Sequence, residues 1–271
     1  QYAIFEEKIA KNPENARKVY YDIINKVPHK RFTFSRLWIL YAYFEIRQGN
    51  ITVARTILGH SIGTNPRAAV FDAYIEIETF LGEKENVRRL YEQYIKLIPN
   101  DVRSWVQYAI FEFEEDNVEK ARRIFEDAIE SHQVDSVDLL WEYYIEFEKS
   151  CGDVQNVRNL YRRSIEANNK LTLWKGLIKF EAENGEDLDQ ARKLFSEAEL
   201  SFADDREERK KLRELRVDFE ESYGDDQSIQ EAKNRMPTID KKDGSLVFPE
   251  ENETSMSSLL EAANLWDMEN S

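Results

Sequence analysis

Residues 105–125 read WVQYAIFEFEEDNVEKARRIF. Trp105, Tyr108, Phe111 and Glu112 stand at i, i+3, i+6 and i+7, which places them on one stripe of an α-helix. Glu115-Asp116-Asn117 then forms a tight polar turn, and Ala121-Arg122-x-Ile124-Phe125 opens the stripe of a second helix. The stretch predicts a helix, a turn and a returning helix.

The same spacing returns along the chain. Trp38, Tyr41, Phe44 and Glu45 precede a Gly49-Asn50 turn and Ala54-Arg55-x-Ile57-Leu58. Phe71, Tyr74, Ile77 and Glu78 precede Gly82 and Val87-Arg88-x-Leu90-Tyr91. Trp141, Tyr144, Phe147 and Glu148 precede Cys151-Gly152-Asp153 and Val157-Arg158-x-Leu160-Tyr161. Trp174, Leu177, Phe180 and Glu181 precede Gly185 and Ala191-Arg192-x-Leu194-Phe195. A first unit, with its beginning cut away, keeps Tyr2, Phe5, Glu6 and Ala16-Arg17-x-Val19-Tyr20. Between leading aromatics the steps are 33, 34, 36 and 33 residues. From Glu to the following Arg the step is ten residues in units two to five and eleven in units one and six. A period of this size predicts an all-α superhelix of stacked helical hairpins.

Composition agrees. Of 271 residues only nine are Gly and six Pro, which favours helix throughout. No run of about 20 apolar residues offers a membrane span. The net charge of −15 argues against a broad phosphate-binding face, since that affinity comes from clustered Lys and Arg. The lone Cys151 excludes an internal disulfide and fits a reducing compartment.

With each turn midway between Glu and Arg, Glu112 lies opposite Arg122 and Trp105 opposite Ile129. This makes Trp38, Tyr41, Phe44, Tyr74, Trp105, Tyr108, Phe111, Trp141, Tyr144, Phe147, Trp174 and Phe180 the core between sister helices. It also pairs Glu45 with Arg55, Glu78 with Arg88, Glu112 with Arg122 and Glu148 with Arg158, as latches that fix helix register. A catalytic carboxylate is needed once per site, whereas these recur in every unit, so they read as structural. The aromatics share the inward stripe and read as core rather than as a base-stacking ladder.

No chemistry emerges elsewhere. His29, His60 and His132 stand far apart, without a His or Cys at metal-ligand spacing. Phosphate-loop, dinucleotide-binding and nucleophile-elbow motifs are absent from the sequence. The chain is expected to be no enzyme and to need no cofactor or metal. Lys30, Arg31 and Arg36, in a basic inter-unit loop with Phe32 and Phe34, are the weak candidates for RNA contact.

The signature aromatic-x-x-Tyr-x-x-aromatic-Glu, followed by Ala/Val-Arg-x-aliphatic-Tyr/Phe, resembles the HAT (half-a-tetratricopeptide) repeat of RNA-processing scaffolds over about residues 1–200. The variants PHKRFTFSRLWILYAYFEIRQGN (28–50), ARTILGHSIGTNP (54–66) and LWEYYIEFE (140–148) look like the crooked-neck family of pre-mRNA splicing factors. FPEENE (248–253) and LLEAANLW (259–266) look like that family's C-terminal end. The resemblance implies the C-terminal portion of a nuclear scaffold of the Prp19-associated (NineTeen) complex. Its partners would be other splicing factors, among them another HAT protein and a Myb-like factor. The alternatives are a HAT scaffold of mRNA 3′-end cleavage or ribosomal RNA maturation, or a solenoid that binds RNA directly.

Past residue 200 the pattern fades. Residues 201–236 read as a degenerate terminal repeat with Leu212, Leu215, Phe219 and Glu220, and with Arg213 at the aromatic place. EERKKLRELR (207–216) is expected to be a solvated cap, and a short second helix is expected over Ile229–Met236, stopped by Pro237. Residues 237–254 read as linker, and Ser258-x-x-Glu261 as the start of a last amphipathic helix.

Overall fold

The computed structural model describes residues 2–27, 34–185, 188–239 and 246–249. Lys30, Arg31, His29, Glu250 to Glu253 and the expected last helix lie outside the described residues. Among the described residues the fold is all-α apart from one short strand pair, and the chain divides into two compact units, 1–146 and 147–271.

In the first unit α1 (Tyr2–Lys8) pairs with α2 (Pro13–Lys26), and α3 (Ser35–Arg47) with α4 (Ile51–Thr64). Likewise α5 (Ala68–Phe80) pairs with α6 (Lys84–Leu97), and α7 (Val102–Glu114) with α8 (Val118–Ser131). Each second helix also packs on the next first helix, as α2 does on α3, α4 on α5 and α6 on α7. The boundary between the units falls inside α9 (Val137–Cys151). The second unit continues with α10 (Val154–Ala167), α11 (Leu171–Asn184), α12 (Leu188–Ser201), α13 (Arg206–Tyr223) and α14 (Asp226–Asn234). Helices adjacent in sequence pack together there too.

The turns explain why the first helices stop where they do. Gly49, Gly82 and Asp116 take φ of 78°, 73° and 61°. The next backbone N–H, of Asn50, Glu83 and Asn117, donates to the carbonyl of Glu45, Glu78 and Glu112 at 2.8, 2.9 and 2.8 Å. This six-residue closure is a Schellman turn, with the left-handed residue just past the helix end. The signature Glu therefore ends its helix through its own carbonyl oxygen. Asp at 116 fits because Asp and Asn enter the left-handed region at lower cost than other side chains.

Ten of the twelve expected core aromatics are buried, while Tyr74 and Phe111 are half-buried. Their partners correct the expectation of a core wholly between sister helices. The leading position faces its sister helix, as in Trp38 against His60 (5.6 Å between ring centroids) and Phe71 stacked on Tyr94 (4.6 Å). The Tyr and Phe positions meet the second helix of the preceding hairpin. Tyr20 stacks on Tyr41 at 5.2 Å, Tyr91 on Tyr108 at 5.4 Å and Phe125 on Tyr144 at 4.7 Å. A stripe spread over i, i+3 and i+6 wraps far enough round a helix to touch two neighbours.

Beyond residue 200, the expected second helix over Ile229–Met236 begins earlier, at Asp226. Asp225 accepts from the N–H of Ser228 at 2.8 Å, and the Ser228 hydroxyl accepts from the N–H of Asp225 at 2.9 Å. This capping box carries Ser where the sequence signature asks for Glu or Gln, so it escaped pattern reading. The stretch expected to be a solvated cap is partly core, because Leu212 and Arg213 are buried in α13. Within the stretch read as linker, β1 (Thr238–Ile239) pairs antiparallel with β2 (Leu246–Val247). Two-residue strands are too short to show alternation in the sequence.

Two glycines separate strain from propensity. Gly59, exposed within α4, and Gly82, left-handed, both leave open space for a Cβ. Gly59→Ala is expected to stabilise the protein by about 0.5–1 kcal/mol and Gly82→Ala to destabilise it by about 1–2 kcal/mol. Urea unfolding gives both values, and shifts of the same sign would refute this account of the turns.

Candidate functional site

The repeated polar residues form the joint between hairpins. On α6, Arg88 and Tyr91 stand at i and i+3 and so share a face. Tyr91 stacks on Tyr108 of α7, and Arg88 must then reach α7 as well. Its Nε and Nη2 donate to the two carboxylate oxygens of Glu112 at 2.7 and 3.1 Å. The guanidinium also lies 5.7 Å from the centroid of the Phe111 ring.

This forked pairing recurs. Arg17 holds Glu45 at 2.7 and 3.0 Å, Arg55 holds Glu78 at 2.7 and 2.7 Å, Arg158 holds Glu181 at 2.7 and 2.9 Å, and Arg192 holds Glu220 at 3.1 and 3.0 Å. The arginine comes from one hairpin and the glutamate from the next. The expected pairs within a hairpin are therefore corrected. Glu45 is held by Arg17 and not Arg55, Glu78 by Arg55 and not Arg88, and Glu112 by Arg88 and not Arg122. Arg158 pairs with Glu181 of the next hairpin, and Glu148 is itself buried. Arg122 bonds Glu119 one turn back. In an array each Arg follows one Glu by ten residues and precedes another, so spacing alone cannot choose between the two. The face shared with the stacking aromatic does choose.

Asparagines complete the joint, and sequence reading did not assign them this role. Asn50, Asn86 and Asn117 donate their side-chain amides to Glu45, Glu78 and Glu112 at 2.8, 2.9 and 2.9 Å. The Asn stands five residues after Glu45 and Glu112 but eight after Glu78, so no fixed spacing marked it. Each of these carboxylates is closed off from solvent and meets both an arginine fork and a side-chain amide.

At Glu112 burial alone would raise the pKa. Arg88, Lys120 and Asn117 together overcome that and hold the carboxyl at about 2. Lys120 lies 2.8 Å away. Hydrogen bonding to Glu45, Glu112 and Glu220 pushes the arginines Arg17, Arg88 and Arg192 further up. Such a site holds charge and moves no proton near neutral pH; its chemistry is structural.

The other candidates stay apart. Arg36 is exposed in the first turn of α3. Among the described residues no group of three or more His, Cys, Asp or Glu is arranged to hold a metal, and no helix is long and apolar enough to cross a membrane.

Two measurements check the joint. In double-mutant cycles to Ala, Arg88 and Glu112 are expected to couple by about 2–3 kcal/mol, and Arg122 with Glu112 by under about 0.5 kcal/mol. A dominant Arg122 coupling would restore the hairpin pairing. Because the folded pKa of Glu112 lies below its unfolded value, its contribution is present above about pH 4.5 and is lost as pH falls through about 2. Glu112→Gln is expected to flatten that acid limb in urea titrations by on the order of 2–3 kcal/mol. An acid limb as steep as the wild type's would count against the site.

Comparison with known proteins places this geometry. A family model described as the PRP39 N-terminal HAT repeat matches residues 66–173. Crooked neck-like protein 1 of Homo sapiens is 36% identical over an alignment of 287 positions, covering 98% of this chain and 34% of the relative. The Dictyostelium discoideum protein of that name is 35% identical over 311 residues, covering 98% of this chain and 44% of the relative. Pre-mRNA-splicing factor CLF1 of Yarrowia lipolytica is 35% identical over 306 residues, covering 100% and 45%. The chain thus spans less than half the length of these relatives. With 35–36% identity running along nearly all of it and a HAT-repeat match within, this chain belongs to the crooked-neck family of HAT-repeat proteins.

Proposed function

We propose that the chain works as a non-enzymatic scaffold in pre-mRNA splicing, in the nucleus, holding other splicing factors on its helical-repeat surface. The observation that carries this reading is the joint. The recurring Arg, Glu and aromatic side chains are taken up between hairpins. What remains for function is the exposed, non-repeating surface of the array, a surface suited to long contacts with other chains. Relatives bearing the name of a pre-mRNA splicing factor support splicing over 3′-end cleavage or ribosomal RNA maturation. The net charge of −15 disfavours a solenoid whose main ligand is RNA. Within splicing, the family resemblance points to the Prp19-associated complex, with another HAT protein and a Myb-like factor as neighbours.

The test is affinity capture of the tagged chain from nuclear extract, with and without nuclease, followed by crosslinking mass spectrometry. Splicing proteins are expected to remain after nuclease and to crosslink to exposed lysines of the array. Loss of every such protein on nuclease treatment would overturn the scaffold reading.

A further inference from the structure

Between α5 and α7 of the first unit lies a cleft of roughly 300 Å³. Its apolar walls and floor come from Ile75, Ile110, Phe111 and Tyr91. Its rim carries Asp72, Glu76 and Glu114, with no lysine or arginine in the lining. Ile110 is 42% exposed, and Phe80, one turn beyond Glu76, is 88% exposed.

The rim holds its charge with no basic side chain in the cleft to neutralise it. Some carboxylates elsewhere in the unit do have cations, as Glu7 has Arg47 and Glu115 has Lys84. Glu76 accepts a bond from the Tyr43 hydroxyl at 2.6 Å, which leaves its charge in place. Neither Asp72 nor Glu114 forms an ion pair among the described residues, and the arginine nearest in effect, Arg103, is bound to Asp101. The field reaches the floor. The Tyr91 hydroxyl is pushed up to about 12, first by burial and then by Asp72 and Glu114. Burial likewise pushes the Asp72 carboxyl up, with Arg103 opposing and Asp101 adding to it.

We propose that this cleft docks a basic peptide segment of a partner protein, which seats an aliphatic side chain between Ile75 and Ile110 and sets arginine or lysine against Asp72, Glu76 and Glu114. Charge complementarity selects the occupant. A polyanion is repelled by the rim, while a segment alternating basic and aliphatic residues meets both rim and floor. The proposal deepens the scaffold reading and rests on it.

The probe is a fluorescein-labelled decapeptide of alternating Arg and Leu, titrated by anisotropy against the full chain, with a Glu/Leu decapeptide as control. The Arg/Leu peptide is expected to bind and the Glu/Leu peptide not to. Glu76→Gln with Glu114→Gln should weaken binding roughly fivefold or more, and Ile110→Ala by a similar factor. Ile110 and Glu114 lie outside the Arg–Glu joints, and Glu76→Gln keeps an oxygen to accept from the Tyr43 hydroxyl, so thermal melts should stay nearly unchanged. The same charge change made remotely, Glu207→Gln with Glu231→Gln, should leave affinity as it was. Equal weakening by the remote pair, no effect of Ile110→Ala, or absent binding would overturn the cleft. So would displacement of the peptide by a uridine-rich RNA, or a dimer dissolved by Ile110→Asp. Each of those failures would leave the scaffold reading standing, since that falls only on the nuclease result.

Discussion

A carboxylate removed from water must be met by a cation and by hydrogen bonds, or it unfolds what surrounds it. Glu45, Glu78 and Glu112 are fully buried, and in each case the arginine that meets them belongs to the preceding hairpin. One hairpin is thus chemically incomplete. It ends in a buried acid at the tip of its first helix and an unsatisfied guanidinium on its second. Stacking closes both, and the Tyr-on-Tyr contacts beside the Glu45 and Glu112 forks supply the apolar area that the ion pair alone does not. The array follows from this dependence, as nearest-neighbour stabilisation requires.

The terminal repeat shows how the joint tolerates change. Arg192 still forks to Glu220, and Phe195 still meets Phe219, edge-on at 5.3 Å. The stacking tyrosine is replaced by Arg216, whose guanidinium lies 5.9 Å from the centroid of the Phe195 ring and is pushed down in pKa by burial and by Arg235. At the leading aromatic place stands Arg213, buried, bonded to the Glu199 carboxylate and the Arg235 carbonyl. Phe248, just past β2, is set between Arg209 and Arg213 at 4.5 and 4.9 Å. Cation–π contacts here take the place of the tyrosine stack seen in the earlier joints.

The fold was legible because helix periodicity and a repeat of about 34 residues are both statements about spacing. Residue types at the joint were legible for the same reason. Partners were not. Arg55 is as regularly placed after Glu45 as before Glu78, so one dimension cannot tell a latch inside a hairpin from one between hairpins. The asparagine amides escaped because side chains at different offsets reach the same oxygen. The Asp225–Ser228 box and the two-residue strands escaped because each departs from the pattern that would announce it.

The joints also fix where the excess charge must lie. Each fork joins one arginine to one glutamate and so leaves the net charge unchanged, with Lys120 as an added cation at Glu112. With 53 acidic against 38 basic residues, the whole surplus of −15 falls outside these pairs. Burial of an unpaired carboxylate is too costly to hide such charge inside, so the unpaired acids of the described array stand at its surface, as Asp72 and Glu114 do. An array that neutralises its interior by repetition therefore presents an acidic exterior. That exterior favours basic protein segments and disfavours nucleic-acid backbones, whatever the particular side chains at each groove.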